Sequence, residues 1–170
     1  SASAQPLIDP ANAAAWNENG GWTNWTGAGD GSQSVLLLPA GAPGFLAGYV
    51  WCENLGFLSL GDGTPANGIA YANAAGADAG VNILAGGNLS GLAWGENVGW
   101  VNFATAGSLG AFNQQARFDA DAGRFRGYAW GENIGWVNLD HASVFVGFGA
   151  PCPGDTNGDG QVNFADLNAV

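Results

Sequence analysis

Apolar residues in this chain come in short runs broken by glycine, proline, asparagine or aspartate. From Leu92 to Phe103 it reads LAWGENVGWVNF: an apolar run, a polar Glu96-Asn97 pair, and a second apolar run. Short runs rich in β-branched and aromatic residues predict strands, and the Glu-Asn break between them predicts a hairpin turn. Thirty glycines point the same way, because glycine is costly inside helices but supplies the positive φ that tight turns need. The expected fold class is all-β.

The pattern recurs. YAWGENIGWVNL (Tyr128 to Leu139), VWCENLGFLSL (Val50 to Leu60) and AWNENGGWTNW (Ala15 to Trp25) repeat it, so the motif occurs four times. In general form it is a small residue, Trp, any residue, Glu-Asn, any residue, Gly, Trp or Phe, any residue, Asn or Ser, and a large apolar residue. The repeated positions are Trp16, Glu18 and Asn19; Trp51, Glu53 and Asn54; Trp94, Glu96 and Asn97; and Trp130, Glu132 and Asn133. The first tryptophans are 35 to 43 residues apart, a period typical of repeated supersecondary units.

The residues ahead of each motif define the unit. SVLLLPAGAPGFLAGYVW, VNILAGGNLSGLAW and ARFDADAGRFRGYAW are each two extended runs broken by a turn. With the run after Glu-Asn, the unit is a three-stranded antiparallel meander, and four of them predict a prism, a barrel or a stacked-sheet body. The first is incomplete, since only PLIDPANAAA precedes Trp16, while SVFVGFGA is left over after the fourth. If these pieces pair within one chain, the repeats close and remove exposed sheet edges. If the strand is donated to the next molecule, the same pairing grows a filament.

Loop length decides where the tryptophans point, because side chains alternate along a strand. An odd-numbered loop centred on Glu96 puts Trp94 and Trp100 on one face with Leu92 and Val98, and Ala93, Val101 and Phe103 on the other. A two-residue turn puts the two tryptophans on opposite faces. Either way both faces are apolar, so the strands are expected to be covered on both sides. Gly91, Gly99, Gly127 and Gly135 are expected to leave room for indole rings on the adjacent strand. Core packing is the expected role of the tryptophans, with Trp22 and Trp25 the candidates for exposed rings that stack on sugars.

Composition narrows the partners. With 47% apolar and 12% aromatic residues the chain should fold. Fourteen acids face only Arg117, Arg124 and Arg126, with no lysine, for a net charge of −11. Nucleic acid is excluded as a natural partner, because phosphate binding needs clustered cations; the arginines read as a solvated strand face. No apolar run is long enough to span a bilayer. The small-residue start SASAQP resembles a mature secreted chain, so an extracellular or cell-surface location is expected. Cys52 and Cys152 are compatible with one disulfide in an oxidising compartment. Cys52 stands where the third and fourth motifs carry Gly95 and Gly131, and reads as a hairpin residue rather than a core residue.

Two roles are open to each Glu-Asn pair. The carboxylate can accept turn or indole N–H groups while the asparagine caps its own turn, or the pair can bind a cation with backbone carbonyls. A catalytic carboxylate pair needs two different environments, which four equivalent copies do not offer. His141 is the only histidine, read as a solvated turn residue, and no nucleophile elbow, phosphate loop or zinc spacing occurs. No enzymatic activity is expected.

The tail carries a second signal. DTNGDGQVNFAD, Asp155 to Asp166, places oxygen-bearing side chains at loop positions 1, 3, 5, 9 and 12, with Gly160 at position 6. Calcium is the expected ion, held by Asp155, Asn157, Asp159 and Asp166, the Gln161 carbonyl, and Asn163 directly or through water. GDTNGDGQVNFADLNAV resembles one half of a type I dockerin, which implies an extracellular or surface-attached bacterial protein and, in cellulosomes, cohesin binding. The resemblance covers one calcium repeat, Gly154 to Val170. The W-x-E-N-x-G-W units resemble tryptophan-rich repeats of uncharacterised bacterial secreted proteins.

Two domains follow: a β-repeat body over residues 1–150 and a calcium-binding tail, with the start of a helix, over 151–170. The leading functional expectation is a secreted structural protein, a self-assembling filament or surface subunit stabilised by calcium and by strand donation between copies. The alternative is a lectin-like carbohydrate-binding module with a dockerin-like anchor.

Overall fold

In the structure, a computed structural model, residues 8–26, 35–38, 42–74 and 76–149 are described. The strands in chain order are β1 (Ile8–Asn17), β2 (Gly21–Asn24), β3 (Leu36–Leu38), β4 (Gly44–Cys52), β5 (Gly56–Gly61), β6 (Val81–Ile83), β7 (Leu89–Gly95), β8 (Gly99–Asn102), β9 (Arg117–Asp119), β10 (Arg124–Arg126), β11 (Tyr128–Gly131), β12 (Gly135–Asn138) and β13 (Val146–Phe148). A one-turn helix, α1 (Ala106–Leu109), precedes β9.

Each copy of the motif is one hairpin: β1–β2, β4–β5, β7–β8 and β11–β12. In the third, Trp94 lies opposite Trp100 and Gly95 opposite Gly99, so the loop is the three residues Glu96-Asn97-Val98. The Val98 amide closes it on the Gly95 carbonyl at 3.2 Å, and Leu55 closes the second loop on Cys52 at 3.1 Å. The glycine that follows has φ between +71° and +83° in all four copies, at Gly21, Gly56, Gly99 and Gly135. That left-handed conformation explains the fixed glycine of the motif, since any side chain there is strained.

The hairpins join side by side through β2–β4, β5–β7 and β8–β11, and β12 pairs back onto β1. The result is a closed eight-stranded antiparallel barrel with the four repeats in order around it. An eight-stranded barrel is just wide enough to be filled by side chains. Alternate residues point inward and stack in groups of four, one from each repeat. Ala15, Val50, Ala93 and Ala129 form one layer, Thr23, Leu58, Val101 and Val137 another, and Trp25, Leu60, Phe103 and Leu139 a third, all buried. Val98 and Ile134 plug the turn end from within, with Leu55 partly buried beside them.

The turn-end layer trades volume between two motif positions. Gly95 and Gly131 are small because Val98 and Ile134 fill their space, and a Cβ at Gly131 would meet the Ile134 side chain at 2.7 Å. The first repeat reverses the arrangement: Gly20 takes the plug position and the wholly buried Asn17 fills it, donating from Nδ2 to the Gly21 carbonyl at 3.0 Å while its Oδ1 accepts from the Gly20 amide. Cys52 shares this layer. It is 3% exposed, with Sγ 3.3 Å from the Gly20 carbonyl, so it is a core residue and not merely a hairpin residue as expected. Cys152 lies outside the described residues.

Three residues before the first aromatic of repeats two, three and four stands a glycine with positive φ: Gly48 (+99°), Gly91 (+97°) and Gly127 (+78°). There the strand bends out of the barrel into a second tier, where β3 pairs with β4, β6 with β4 and β7, and β9 with β10. The space at Gly91 and Gly127 is not taken by indoles as expected: a Cβ at Gly127 would meet the Gln114 and Gln115 carbonyls, and one at Gly91 the Gly80 carbonyl and the Asn73 side chain. The expected meanders are therefore present, bent at their centres.

The incomplete first repeat is completed by the surplus strand of the same chain. β13 lies against β1, with Phe148 opposite Ile8 and Val146 opposite Ala13, and its other side pairs with β10 at Arg124. Phe118, Phe125, Phe148 and Trp25 pack ring to ring beneath it, with centroids 4.9 to 5.9 Å apart. Arg124 and Arg126 are not part of a solvated face. Arg124 is 9% exposed, lies 3.9 Å over the Phe145 ring and donates to the carbonyls of Phe125, Leu139 and His141. Arg126 bridges Asp119 at 2.8 Å and Asp140 at 3.0 Å.

Candidate functional site

The layers formed by Ala15, Val50, Ala93 and Ala129 and by Thr23, Leu58, Val101 and Val137 are too small for indoles, so the motif's paired aromatics stand on the outside of the barrel, while the third layer holds the Trp25 indole. Trp16, Trp22, Phe57, Trp94, Trp100 and Trp130 are 38% to 44% exposed. The expected mutual burial in a core is thus overturned: β-strand alternation puts Ala93 and Val101 inside and Trp94 and Trp100 outside. The odd loop does place the two tryptophans on one face, but Val98 turns inward at its end. Trp22 is exposed as expected, whereas Trp25 is 1% exposed and belongs to the third inward layer.

Each hairpin carries its two aromatics as a cross-strand pair: Trp16–Trp22, Trp51–Phe57, Trp94–Trp100 and Trp130–Trp136, with ring centroids 4.7 to 5.0 Å apart and planes inclined by 54° to 71°. Edge-to-face pairs of this kind add about 0.5–1.5 kcal/mol beyond area burial. Between hairpins, the first Trp of one repeat lies opposite the Asn or Ser of the preceding one: Trp51 with Asn24, Trp94 with Ser59, Trp130 with Asn102 and Trp16 with Asn138. The motif's Asn/Ser position therefore supplies the polar partner of every inter-repeat seam.

Two seams open into clefts. Between repeats four and one, a cleft of about 450 Å³ is lined by Trp16, Trp136 and Tyr128 together with Glu18, Gln114 and Asn138, and walled by Leu109 of α1. Between repeats two and three, a cleft of about 380 Å³ is lined by Trp94, Trp100, Leu92, Ser59, Asp62 and Asp78. The barrel interior, by contrast, holds a void of only about 10 Å³, too small to house a ligand.

At the turn end, the asparagines act between repeats. Asn54 Nδ2 donates to the Gly20 carbonyl (3.0 Å), Asn97 to Leu55 (3.2 Å), Asn133 to Val98 (3.2 Å) and Asn19 to the Asn133 carbonyl (3.3 Å). Each thus reaches back to the preceding turn, and Asn19 completes the circle. The expectation that each asparagine caps its own turn is replaced by this clasp: Asn54, Asn97 and Asn133 supply a donor to the plug residue's carbonyl at the neighbouring turn, and at the fourth turn the Asn19 main-chain amide takes the Ile134 carbonyl while its side chain takes that of Asn133. Glu18 Oε2 accepts the Trp136 amide at 3.2 Å, also across a seam. Glu53, Glu96 and Glu132 stand exposed on the same rim.

Among the described residues, no group of three histidine, cysteine or carboxylate side chains is placed to hold a metal ion. The predicted calcium ligands Asp155, Asn157, Asp159, Gln161, Asn163 and Asp166 lie outside the described residues. His141 is exposed, and its Nδ1 faces the amides of Ser143 (3.3 Å) and Val144 (3.2 Å), ordering the turn before β13. In the second cleft, hydrogen bonds from Thr64 hold Asp62 below the usual carboxylate range, and Asp78 accepts the amides of Ala66 and Ala72. No described helix is long and apolar enough to cross a membrane.

Sequence reasoning did not reach Tyr128, Gln114 and Asn138 as cleft residues. Asn138 had a signal, the recurring Asn/Ser of the motif, which only the ring closure makes a seam partner of Trp16. Gln114 had none, since it sits in a segment without a counterpart in the other repeats. Comparison with family models, curated proteins and solved structures found no match to this chain.

Proposed function

We propose that the chain is an extracellular carbohydrate-binding module, a β-barrel that presents aromatic pairs outward and carries a calcium-ordered tail. The observation that carries this reading is the cleft in which Trp16, Trp136 and Tyr128 meet Glu18, Gln114 and Asn138. Sugars have an apolar C–H face and a hydroxyl edge. Aromatic rings take the first, and carboxylate and amide oxygens accept from the second. The volume fits the range of ligand sites, with a few polar groups on an aromatic wall. No cation lines the cleft, which suits a neutral glycan.

Filament growth by strand donation is not adopted, because β13 is paired on both sides within its own chain. The tail keeps its proposed role. Calcium on Asp155, Asn157, Asp159, Gln161, Asn163 and Asp166 would order the residues after the barrel. Glycan-array binding with the full chain tests the main reading: Trp16→Ala is expected to reduce binding at least tenfold while leaving the circular dichroism spectrum unchanged. Absent binding, or binding untouched by Trp16→Ala, overturns it. Calcium titration of the full chain, compared with Asp155→Ala, tests the tail separately.

A further inference from the structure

We infer that the barrel is bivalent, with two glycan sites on opposite sides of its wall, so that one molecule joins two sugar chains. This rests on the carbohydrate-binding reading and extends it. Going round the ring, the strands follow the order β1, β2, β4, β5, β7, β8, β11, β12 and back to β1. The β12–β1 seam and the β5–β7 seam are half a circuit apart. Both carry a cleft built from the same motif positions: the first tryptophan of one repeat, Trp16 or Trp94, and the Asn or Ser of the preceding repeat, Asn138 or Ser59.

The two walls differ, and the difference makes the sites separable. Tyr128 and Gln114 flank the first cleft, with Leu109 of α1 as its wall. The loop carrying Asp62 and Asp78 flanks the second, and that loop is held by Tyr71. The Tyr71 hydroxyl accepts the Gly63 amide at 2.8 Å and donates to the Leu46 carbonyl at 3.0 Å. Each cleft contains at least one carboxylate and neither contains a cation, so uronic-acid chains are repelled and neutral hexose chains are accepted at both. Opposed sites cannot grip one short oligosaccharide together; they bind two, and on polymers they cross-link.

Isothermal titration of the full chain with cellohexaose, laminarihexaose and hexagalacturonate tests this, with turbidity of a soluble neutral β-glucan as the second readout. The expected result is a stoichiometry of two for a neutral hexaose, weak or no binding of the uronate, and turbidity that rises and then falls as protein passes equivalence. Trp16→Ala and Trp94→Ala should each lower the stoichiometry to one and abolish turbidity. A stoichiometry of one, or a Trp94→Ala variant that titrates like the parent, overturns bivalence while leaving the single-site reading intact. No binding of either neutral hexaose overturns both. Should Trp16→Ala fail to fold, Gln114→Ala reports on the same cleft from a residue outside the barrel ladder.

Discussion

The side-chain amide of Asn54 donates to the main-chain carbonyl of Gly20 at 3.0 Å, across 34 residues of sequence. This bond joins two turns that belong to different repeats, and its counterparts at Asn97, Asn133 and Asn19 carry the pattern around the barrel mouth. Removing the Asn54 donor leaves the Gly20 carbonyl with only the weak thiol donor of Cys52 at 3.3 Å. Asn54→Ala is expected to cost about 1 kcal/mol, read as a lower urea midpoint at unchanged slope. Asn54→Asp should cost more, because a carboxylate would face the carbonyl it replaced a donor for. A neutral Asn54→Ala result would count against the clasp.

The post-turn glycines separate backbone strain from crowding. At Gly56 the nearest atom to an added Cβ is 3.9 Å away, so Gly56→Ala meets only the φ of +83° and should cost about 1–2 kcal/mol. At Gly135 the added Cβ also runs into the Glu18 carboxylate. Gly135→Ala is therefore expected to lose more stability than Gly56→Ala, and Glu18→Ala in the same chain should recover part of the difference. Equal losses in the two alanine variants would show that Glu18 moves aside freely.

Trp22 and Trp25 are three residues apart and should behave as opposites. Trp25→Ala empties a site that is 1% exposed and in ring contact with Phe125, and is expected to cost about 3–5 kcal/mol. Trp22→Ala removes a ring that is 42% exposed, losing mainly its pairing with Trp16, about 0.5–1.5 kcal/mol. Chemical denaturation of both variants checks the contrast, and acrylamide should quench the fluorescence lost in Trp22→Ala but not that lost in Trp25→Ala.

The Arg126–Asp119 pair makes the second tier acid-sensitive. The Ala122 amide and the Arg126 guanidinium hold Asp119 below the ordinary carboxylate pKa. A group depressed on folding contributes stability above its unfolded pKa, about 3.9, and loses it as pH falls through the folded value. Melting temperature should therefore fall as pH drops below about 4. Asp119→Asn should flatten that dependence, lowering the melting temperature at pH 7 by more than at pH 3. An unchanged pH profile in the variant would remove the pair from the account.

The repeat and its hairpins were legible because alternation and turn chemistry are local properties, and the incomplete first unit and surplus strand could be read as complementary pieces, though not whether they pair within one chain. Ring closure was one of two readings the sequence left open. Which face was the core was not legible: both faces of LAWGENVGWVNF are apolar, and hydrophobicity alone favours burying the tryptophans. Size decides instead. Ala93 and Val101 fit inside an eight-stranded barrel and Trp94 and Trp100 do not, a distinction that appears only once the strand number is known. The clasp by Asn54 and the buried role of Arg124 were likewise hidden, since both partners are contributed by other parts of the ring. The seam clefts combine motif residues with unrepeated ones such as Gln114, which no internal comparison can reach.

The ladder within each hairpin runs through its turn, as from Leu92 opposite Asn102 to Gly95 opposite Gly99. Between hairpins it is short: Ser59 opposite Trp94 joins β5 to β7, and Trp16 and Asn17 opposite Asn138 and Val137 join β1 to β12. Thermal breathing of the wall therefore has a preferred grain. Hairpins are expected to part from one another like staves before any of them frays, so amide protons at the seams should exchange with solvent sooner than those inside a hairpin, and the two seam clefts lie along the lines where the wall should give most readily.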